Sequence, residues 1–169
     1  MTYNEVDGET GECPKNASVD LSKFVHDSLK LWLETNGEAI YGTRMWKQPC
    51  QWSAGSIPKT ERKEYMSKFN ILEQTVAPPK GQAFKEALFT YKNGNLYAIT
   101  PRWPDGMLRL KDIVPDRNMV VTFLETGEKL PWKVDGNNLF ITTPQFHPNR
   151  MKSQYAYVFR LSSIEPVDK

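Results

Sequence analysis

One segment of the chain, residues 19–36, has the periodicity of an amphipathic helix. Most of its apolar side chains follow one another at intervals of three or four residues, which places them on a single helix face. Five residues carry this stripe: Leu21, Phe24, Val25, Leu29 and Trp32. Gly37 follows Asn36 and suits the left-handed conformation that ends many helices. The pattern predicts one helix whose apolar face packs against another part of a protein.

From residue 38 onward the apolar positions recur with a period of two, which is typical of β-strands. Asn93-Gly94 and Asp135-Gly136 lie between apolar runs and predict tight hairpins. The expected strands lie near 39–44, 69–72, 87–91, 96–100, 107–111, 119–124, 130–134, 139–142 and 155–161. About eight short strands at this spacing favour a mainly β fold, an antiparallel β-sandwich preceded by the helix.

The remaining segments divide the chain into three parts. Residues 1–18 are polar and turn-like and are predicted to form a flexible leader. The helix of residues 19–36 follows, and residues 38–165 form the predicted sandwich domain. Within that domain, residues 47–82 are polar and predict a long exposed loop, interrupted by the short strand near 69–72. A length of 169 residues is that of one ordinary domain.

Composition and charge exclude several classes of function. Lys and Arg number 22 against 20 Asp and Glu, and this balance argues against a dedicated nucleic-acid binder. No run approaches the roughly 20 apolar residues of a membrane span, so we expect no membrane partner. The polar start of the chain does not resemble a signal peptide. These features leave the compartment open.

The residue types that bind metals and cofactors are sparse. His26 and His147 have no ligand spacing, and no phosphate-binding glycine motif is present, so we expect no metal and no cofactor. Cys13 and Cys50 do not form a CxxC motif, and they either pair or stay reduced. Cys50 has no positioned histidine base in the sequence, which argues against a cysteine nucleophile.

Two sets of residues remain as candidates for a site. Paired carboxylates could hydrolyse a glycoside, but solvated surface charge is the favoured explanation for each of them. The candidates are Glu38, Glu86, Asp105, Asp112, Asp116, Glu125, Glu128 and Asp135. Exposed tryptophans could stack on sugar rings, and the candidates for carbohydrate contact are Trp46, Trp103 and Trp132. The alternative is that these indoles close the ends of the sandwich or face a neighbouring domain.

Four segments together resemble the α-L-fucosidases, and they occur in that family's order between residues 21 and 161. They are residues 31–44 (LWLETNGEAIYGTR), 89–99 with Trp103-Pro104 behind them, 127–136 (GEKLPWKVDG) and 155–159 (YAYVF). The first resembles the point where the last barrel helix leads into the C-terminal β-domain. Met45 departs from the family, which often has proline before the tryptophan, and the polar segment of residues 51–82 is extended.

The resemblance implies a parent enzyme that removes terminal α-L-fucose from glycans with retention, and that is typically secreted, periplasmic or lysosomal. It also implies a catalytic (β/α) barrel upstream that carries the nucleophile and the acid/base carboxylate. This chain would then be non-catalytic and inactive alone. In the full-length enzyme, Leu21, Phe24, Val25 and Trp32 would pack on the barrel. In this chain they would fold back on the sandwich, pair with a second copy or bind a partner chain.

Two other functions compete with this interpretation. A free-standing carbohydrate-binding module would use an exposed tryptophan and bind a glycan, which could be fucosylated. An independent hydrolase would turn over an aryl fucoside and lose that activity on substitution of one carboxylate. We rank the accessory domain first, the binding module second and the hydrolase third.

Overall fold

The computed structural model describes residues 21–58 and 70–164, and these ranges contain two helices and nine strands. The helices are α1 (Leu21–Asn36) and α2 (Ile71–Thr75), and the 3₁₀ turns are Gly37–Ala39 and Pro148–Arg150. The strands are β1 (Arg44–Trp52), β2 (Lys85–Lys92), β3 (Asn95–Thr100), β4 (Met107–Lys111), β5 (Val121–Phe123), β6 (Glu128–Leu130), β7 (Trp132–Asp135), β8 (Asn138–Thr142) and β9 (Tyr157–Leu161). Neither helix is long and apolar enough to cross a membrane.

The strands form two antiparallel sheets. The larger has the order β1-β2-β3-β9-β5-β6, and the smaller has the order β4-β8-β7. Every named pair is antiparallel. The antiparallel sandwich behind an N-terminal helix is therefore confirmed.

The core fills the space between the two sheets. Strands β3, β5 and β9 contribute apolar side chains at alternate positions, as a half-buried strand requires. They meet residues of β4 and β8, and the most deeply buried members of the cluster are Leu96, Phe123, Phe159, Leu161, Leu110, Leu139 and Ile141. Burial of this one cluster couples the two sheets.

The hairpin of β2 and β3 is confirmed, and its turn has a clear local cause. Asn93 and Gly94 both have positive φ, 49° and 76°. Two consecutive residues with positive φ give the turn whose twist matches that of the flanking strands, and asparagine and glycine tolerate it best. The hairpin of β7 and β8 pairs Asp135 with Asn138 and is also as predicted.

Three predicted segments are wrong in place or type. Residues 39–43 are not in a strand, because the 3₁₀ turn ends at Ala39 and the chain turns again at Gly42, which has a φ of 67°. Strand β1 instead begins at Arg44 and occupies residues 47–52 of the predicted polar loop. Residues 71 and 72 belong to α2, where the Asn70 side chain accepts a hydrogen bond from the Leu72 amide and caps the helix.

The strand predicted near 130–134 is interrupted by Pro131. Leu130 ends β6 in the larger sheet, and Trp132 begins β7 in the smaller one. Proline lacks the amide proton that a continuous ladder needs, which accounts for the switch between sheets at this point. The predicted leader of residues 1–18 and Phe69 lie outside the described residues.

Candidate functional site

The larger sheet has a second apolar face, turned away from the sandwich core. Tyr97, Ile99 and Val158 are buried on this outer face together with Ala39. Trp32 of α1 packs against them. The outer face and the C-terminal part of α1 therefore form a second, smaller core.

Several polar contacts join α1 and the turn after it to the larger sheet and to the segments that follow β5 and precede β9. Trp32 donates from Nε1 to the Ala156 carbonyl at 2.9 Å, and the Thr90 hydroxyl donates to the Ala39 carbonyl at 2.6 Å. Arg160 forms an ion pair with Glu38 at 3.2 Å, and Asn36 donates to Glu125 at 3.4 Å. These contacts set the position of the helix on the sheet.

Glu125 is the most enclosed of the carboxylates considered above. It is only 8% exposed, and its Oε1 accepts hydrogen bonds from the backbone amides of Lys152 and Ser153, the latter at 3.0 Å. Together with the contact to Asn36, these bonds tie the segment before β9 to the end of α1. The geometry gives Glu125 a structural role.

Burial raises the pKa of the Tyr97 hydroxyl, which lies on the same outer face. The neighbouring Glu38 carboxylate raises this pKa further, and the Arg160 guanidinium acts in the opposite direction. The folded state therefore favours the neutral phenol over the phenolate.

The N-terminal part of α1 leaves an apolar groove on this face. The groove has a volume of about 490 Å³ and lies between the helix, strands β2 and β3, and the segment before β9. Phe24, Val25 and Leu29 of α1 remain 55%, 60% and 53% exposed. The walls are almost entirely apolar and also include Ser28, Trp32, Ile40, Leu88, Ile99, Tyr155 and Ala156.

The groove brings together three of the four residues predicted to pack on a barrel or a partner. Phe24, Val25 and Trp32 all line it, and the side chain of Leu21 lies outside the described residues. Leu88 and Ile99, which face each other across β2 and β3, form the opposite wall. The sequence signal for this wall was the continuous apolar run of β3, because a strand that is buried on both faces does not alternate apolar and polar residues.

The three tryptophans predicted to contact carbohydrate lie in three different environments. Trp46 is 4% exposed and packs on Tyr91 with ring centroids 5.1 Å apart, so its indole is not open to a ligand. Trp132 is half-buried against the core and donates to the Met119 carbonyl at 3.1 Å. Trp103 lines a second cavity, of about 250 Å³, at one end of the sandwich.

The other candidate groups have separate surroundings. Glu38 pairs with Arg160, whereas Glu86 accepts a hydrogen bond from Gln51 at 2.9 Å. Within residues 21–58 and 70–164, no group of three or more His, Cys, Asp or Glu side chains is placed to hold a metal ion. Cys50 is a free thiol, and Cys13 lies outside the described residues.

Comparison with known proteins identifies relatives of this chain. Residues 82–162 match the family model described as the alpha-L-fucosidase C-terminal domain. Human tissue alpha-L-fucosidase is 25% identical over 136 residues, which is 79% of this chain and 23% of that protein. The Branchiostoma floridae alpha-L-fucosidase is 25% identical over 139 residues, covering 81% of this chain and 24% of the relative.

A solved structure agrees with this match. Thermotoga maritima alpha-fucosidase, crystallised with a mechanism-based inhibitor, superposes with a TM-score of 0.53 at 25% identity. The superposition covers 90% of this chain and 27% of that enzyme. The chain thus spans about a quarter of the length of the relatives it matches. We conclude that residues 82–162 of this chain match the C-terminal domain of the alpha-L-fucosidases.

Proposed function

We propose that this chain is the non-catalytic β-domain of a glycoside hydrolase, and that its groove and helix face pack on a catalytic (β/α) barrel. The full-length enzyme would hydrolyse terminal α-L-fucose from glycans with retention. The observation that carries this proposal is the open groove, because a folded domain rarely leaves so many large apolar side chains of one helix half-exposed.

The energetics of the groove favour a protein surface as its occupant. Phe24, Val25 and Leu29 each retain more than half of their accessible surface. Covering an apolar side chain completely contributes about 1.5–3 kcal/mol relative to leaving it in water. A neighbouring domain that covers these three residues would therefore gain several kcal/mol from this helix alone.

The lengths of the matching relatives support an enzyme domain as that neighbour. The alpha-L-fucosidases that match this chain are about four times its matched length, so most of each relative lies outside the match. A domain at the end of a larger enzyme needs a surface that packs against the rest of that enzyme. The groove supplies such a surface, whereas self-association through α1 is the alternative use of the same face.

The expected lack of fucosidase activity in this chain can be tested directly. We expect the purified chain to release no chromophore from an aryl α-L-fucoside under conditions in which a full-length fucosidase is active. Glu125, the most enclosed of the candidate carboxylates, accepts hydrogen bonds from two backbone amides, which supports a structural role for it. Turnover that survives repurification and disappears on substitution of one carboxylate would overturn the proposal.

A further inference from the structure

The second cavity combines aromatic and charged side chains at one end of the sandwich. It lies between the start of β2, the β3–β4 connection and the start of β4. Its volume is about 250 Å³, and Phe84, Glu86, Trp103 and Arg109 contribute to its lining. We call it the end pocket. None of its lining residues lines the groove, so any function of the end pocket is independent of packing on a barrel.

Buried hydrogen bonds hold the polar side of the end pocket in place. Gln51, only 2% exposed, donates from Nε2 to the Glu86 carboxylate at 2.9 Å and to the Arg109 carbonyl at 2.8 Å. Its Oε1 accepts from the Lys111 amide at 2.8 Å. One side chain of β1 therefore connects β2 of the larger sheet with β4 of the smaller one. This clamp sets the position of the Glu86 carboxylate relative to the backbone of Arg109 before any ligand arrives.

Aromatic neighbours hold Trp103 in the same way. Its ring lies 5.0 Å from that of Tyr157 and 5.3 Å from that of Phe123, both in edge-to-face geometry. The ring of Phe146 is 5.6 Å away. An indole fixed on several sides loses little conformational entropy when a ligand binds it, which is the property that a binding platform requires.

The end pocket offers both donors and an acceptor of hydrogen bonds. Arg102 also lines it, but its guanidinium already donates to the Val76 carbonyl at 2.8 Å and lies 4.1 Å from the centroid of the Phe84 ring, which leaves Glu86 and Arg109 as the groups open to a ligand. The Glu86 carboxylate can only accept, whereas the Arg109 guanidinium can only donate. Arg109 is exposed, and its guanidinium enters no hydrogen bond or ion pair among residues 21–58 and 70–164. A hydroxyl group both donates and accepts, so neighbouring hydroxyl groups of one ligand can satisfy the Glu86 carboxylate and the Arg109 guanidinium together.

We propose that the end pocket binds one neutral pyranose unit of a glycan. Hydroxyl groups of the sugar would bridge Glu86 and Arg109, and its CH groups would lie against Trp103. A cavity of about 250 Å³ is smaller than the pockets that hold drug-sized ligands and suits a single ring. A ligand of about 12 heavy atoms at ordinary ligand efficiency gives a dissociation constant of about 1 mM.

The test is a titration of the purified chain followed by the assigned indole N–H signal of Trp103 in NMR spectra. The probes are the methyl glycosides of L-fucose, D-galactose, D-glucose, D-mannose and N-acetyl-D-glucosamine, with N-acetylneuraminic acid as an anionic probe. We expect at least one neutral glycoside to shift this signal in a saturable way. Arg109→Ala should weaken that binding at least about tenfold, because it removes a charged donor.

Two further variants complete the design. Glu86→Gln keeps an acceptor of the same shape and should weaken binding while the domain stays folded. Arg117→Ala is the matched control, since Arg117 is exposed and does not line the end pocket, and it should leave binding unchanged. Three results would each overturn the proposal: no neutral glycoside shifts the Trp103 signal, only the anionic sugar does, or Arg109→Ala binds as well as the control.

Discussion

Replacing Gln51 by leucine should destabilise the domain more than its single side chain suggests. The substitution removes three hydrogen bonds at once, to the Glu86 carboxylate, the Arg109 carbonyl and the Lys111 amide. Leaving buried polar partners unpaired costs about 1–3 kcal/mol each. Water can reach β4 because it is an edge strand on which Arg109 is exposed, so the lower end of that range applies. We therefore expect a loss of about 2–4 kcal/mol.

Urea denaturation and thermal melting can measure this loss. For a chain of this size, 1 kcal/mol shifts the melting temperature by about 2–4 °C, so Gln51→Leu should lower it by about 4–16 °C. Gln48→Leu is the matched control, since Gln48 is half-buried and makes one hydrogen bond, to the Cys50 carbonyl at 3.2 Å. The control should cost less than about 1 kcal/mol. Equal effects of the two substitutions would refute the clamp that we assign to Gln51.

Three further predictions concern the outer face of the larger sheet. The double variant Val25→Ser and Leu29→Ser should change the free energy of unfolding of the isolated chain by less than about 0.5 kcal/mol in urea titrations, because both side chains are exposed. By comparison, Leu139→Ala in the core should cost about 2–4 kcal/mol. Because folding raises the pKa of Tyr97, its ionisation does not affect stability below the unfolded pKa of about 10, and the free energy of unfolding falls as the pH rises above that value. Tyr97→Phe should reduce this alkaline loss of stability. An unchanged pH dependence of the urea midpoint would contradict this prediction. Glu125→Ala should cost about 2–4 kcal/mol and speed hydrogen exchange at the two amides it holds, and protected amides in the variant would argue against this anchor.

Local signals in the sequence were sufficient to predict most strands of the β-sandwich. The strand at 107–111 was predicted with the bounds that the structure has, and Asn93-Gly94 marked the turn between β2 and β3. These elements follow from alternation and turn chemistry, which act between near neighbours in the chain. Strand β1 was missed because only Trp46 and Gln51 are buried along it, and its pairing with β2 shifts register twice. Without alternation, a strand that pairs mainly through its backbone resembles a polar loop.

The candidate sites depended on tertiary structure to a greater extent. The periodicity placed Phe24 and Trp32 on one face of α1, but the sequence could not show that Phe24 stays exposed while Trp32 packs on the sheet. Trp103 and Glu86 of the end pocket were both candidates from the sequence, one as a carbohydrate contact and the other as a carboxylate, but Arg109 was not. The sequence did not bring these residues together, since Glu86 and Arg109 come from different sheets. Gln51 gave no signal at all, because a glutamine that connects two sheets has the same appearance in the sequence as one on the surface.

Packing of the groove on a catalytic domain can be tested by placing the same substitutions in two proteins. One is the isolated chain, and the other is a hybrid in which this chain replaces the matching quarter of Thermotoga maritima alpha-fucosidase. We predict that Val25→Ser with Leu29→Ser leaves the melting temperature of the isolated chain unchanged but lowers the melting temperature and the aryl α-L-fucoside turnover of the hybrid. Val114→Ser, at a residue that is 81% exposed outside the groove, should change neither protein. A double variant that is equally harmless in both proteins would contradict the account.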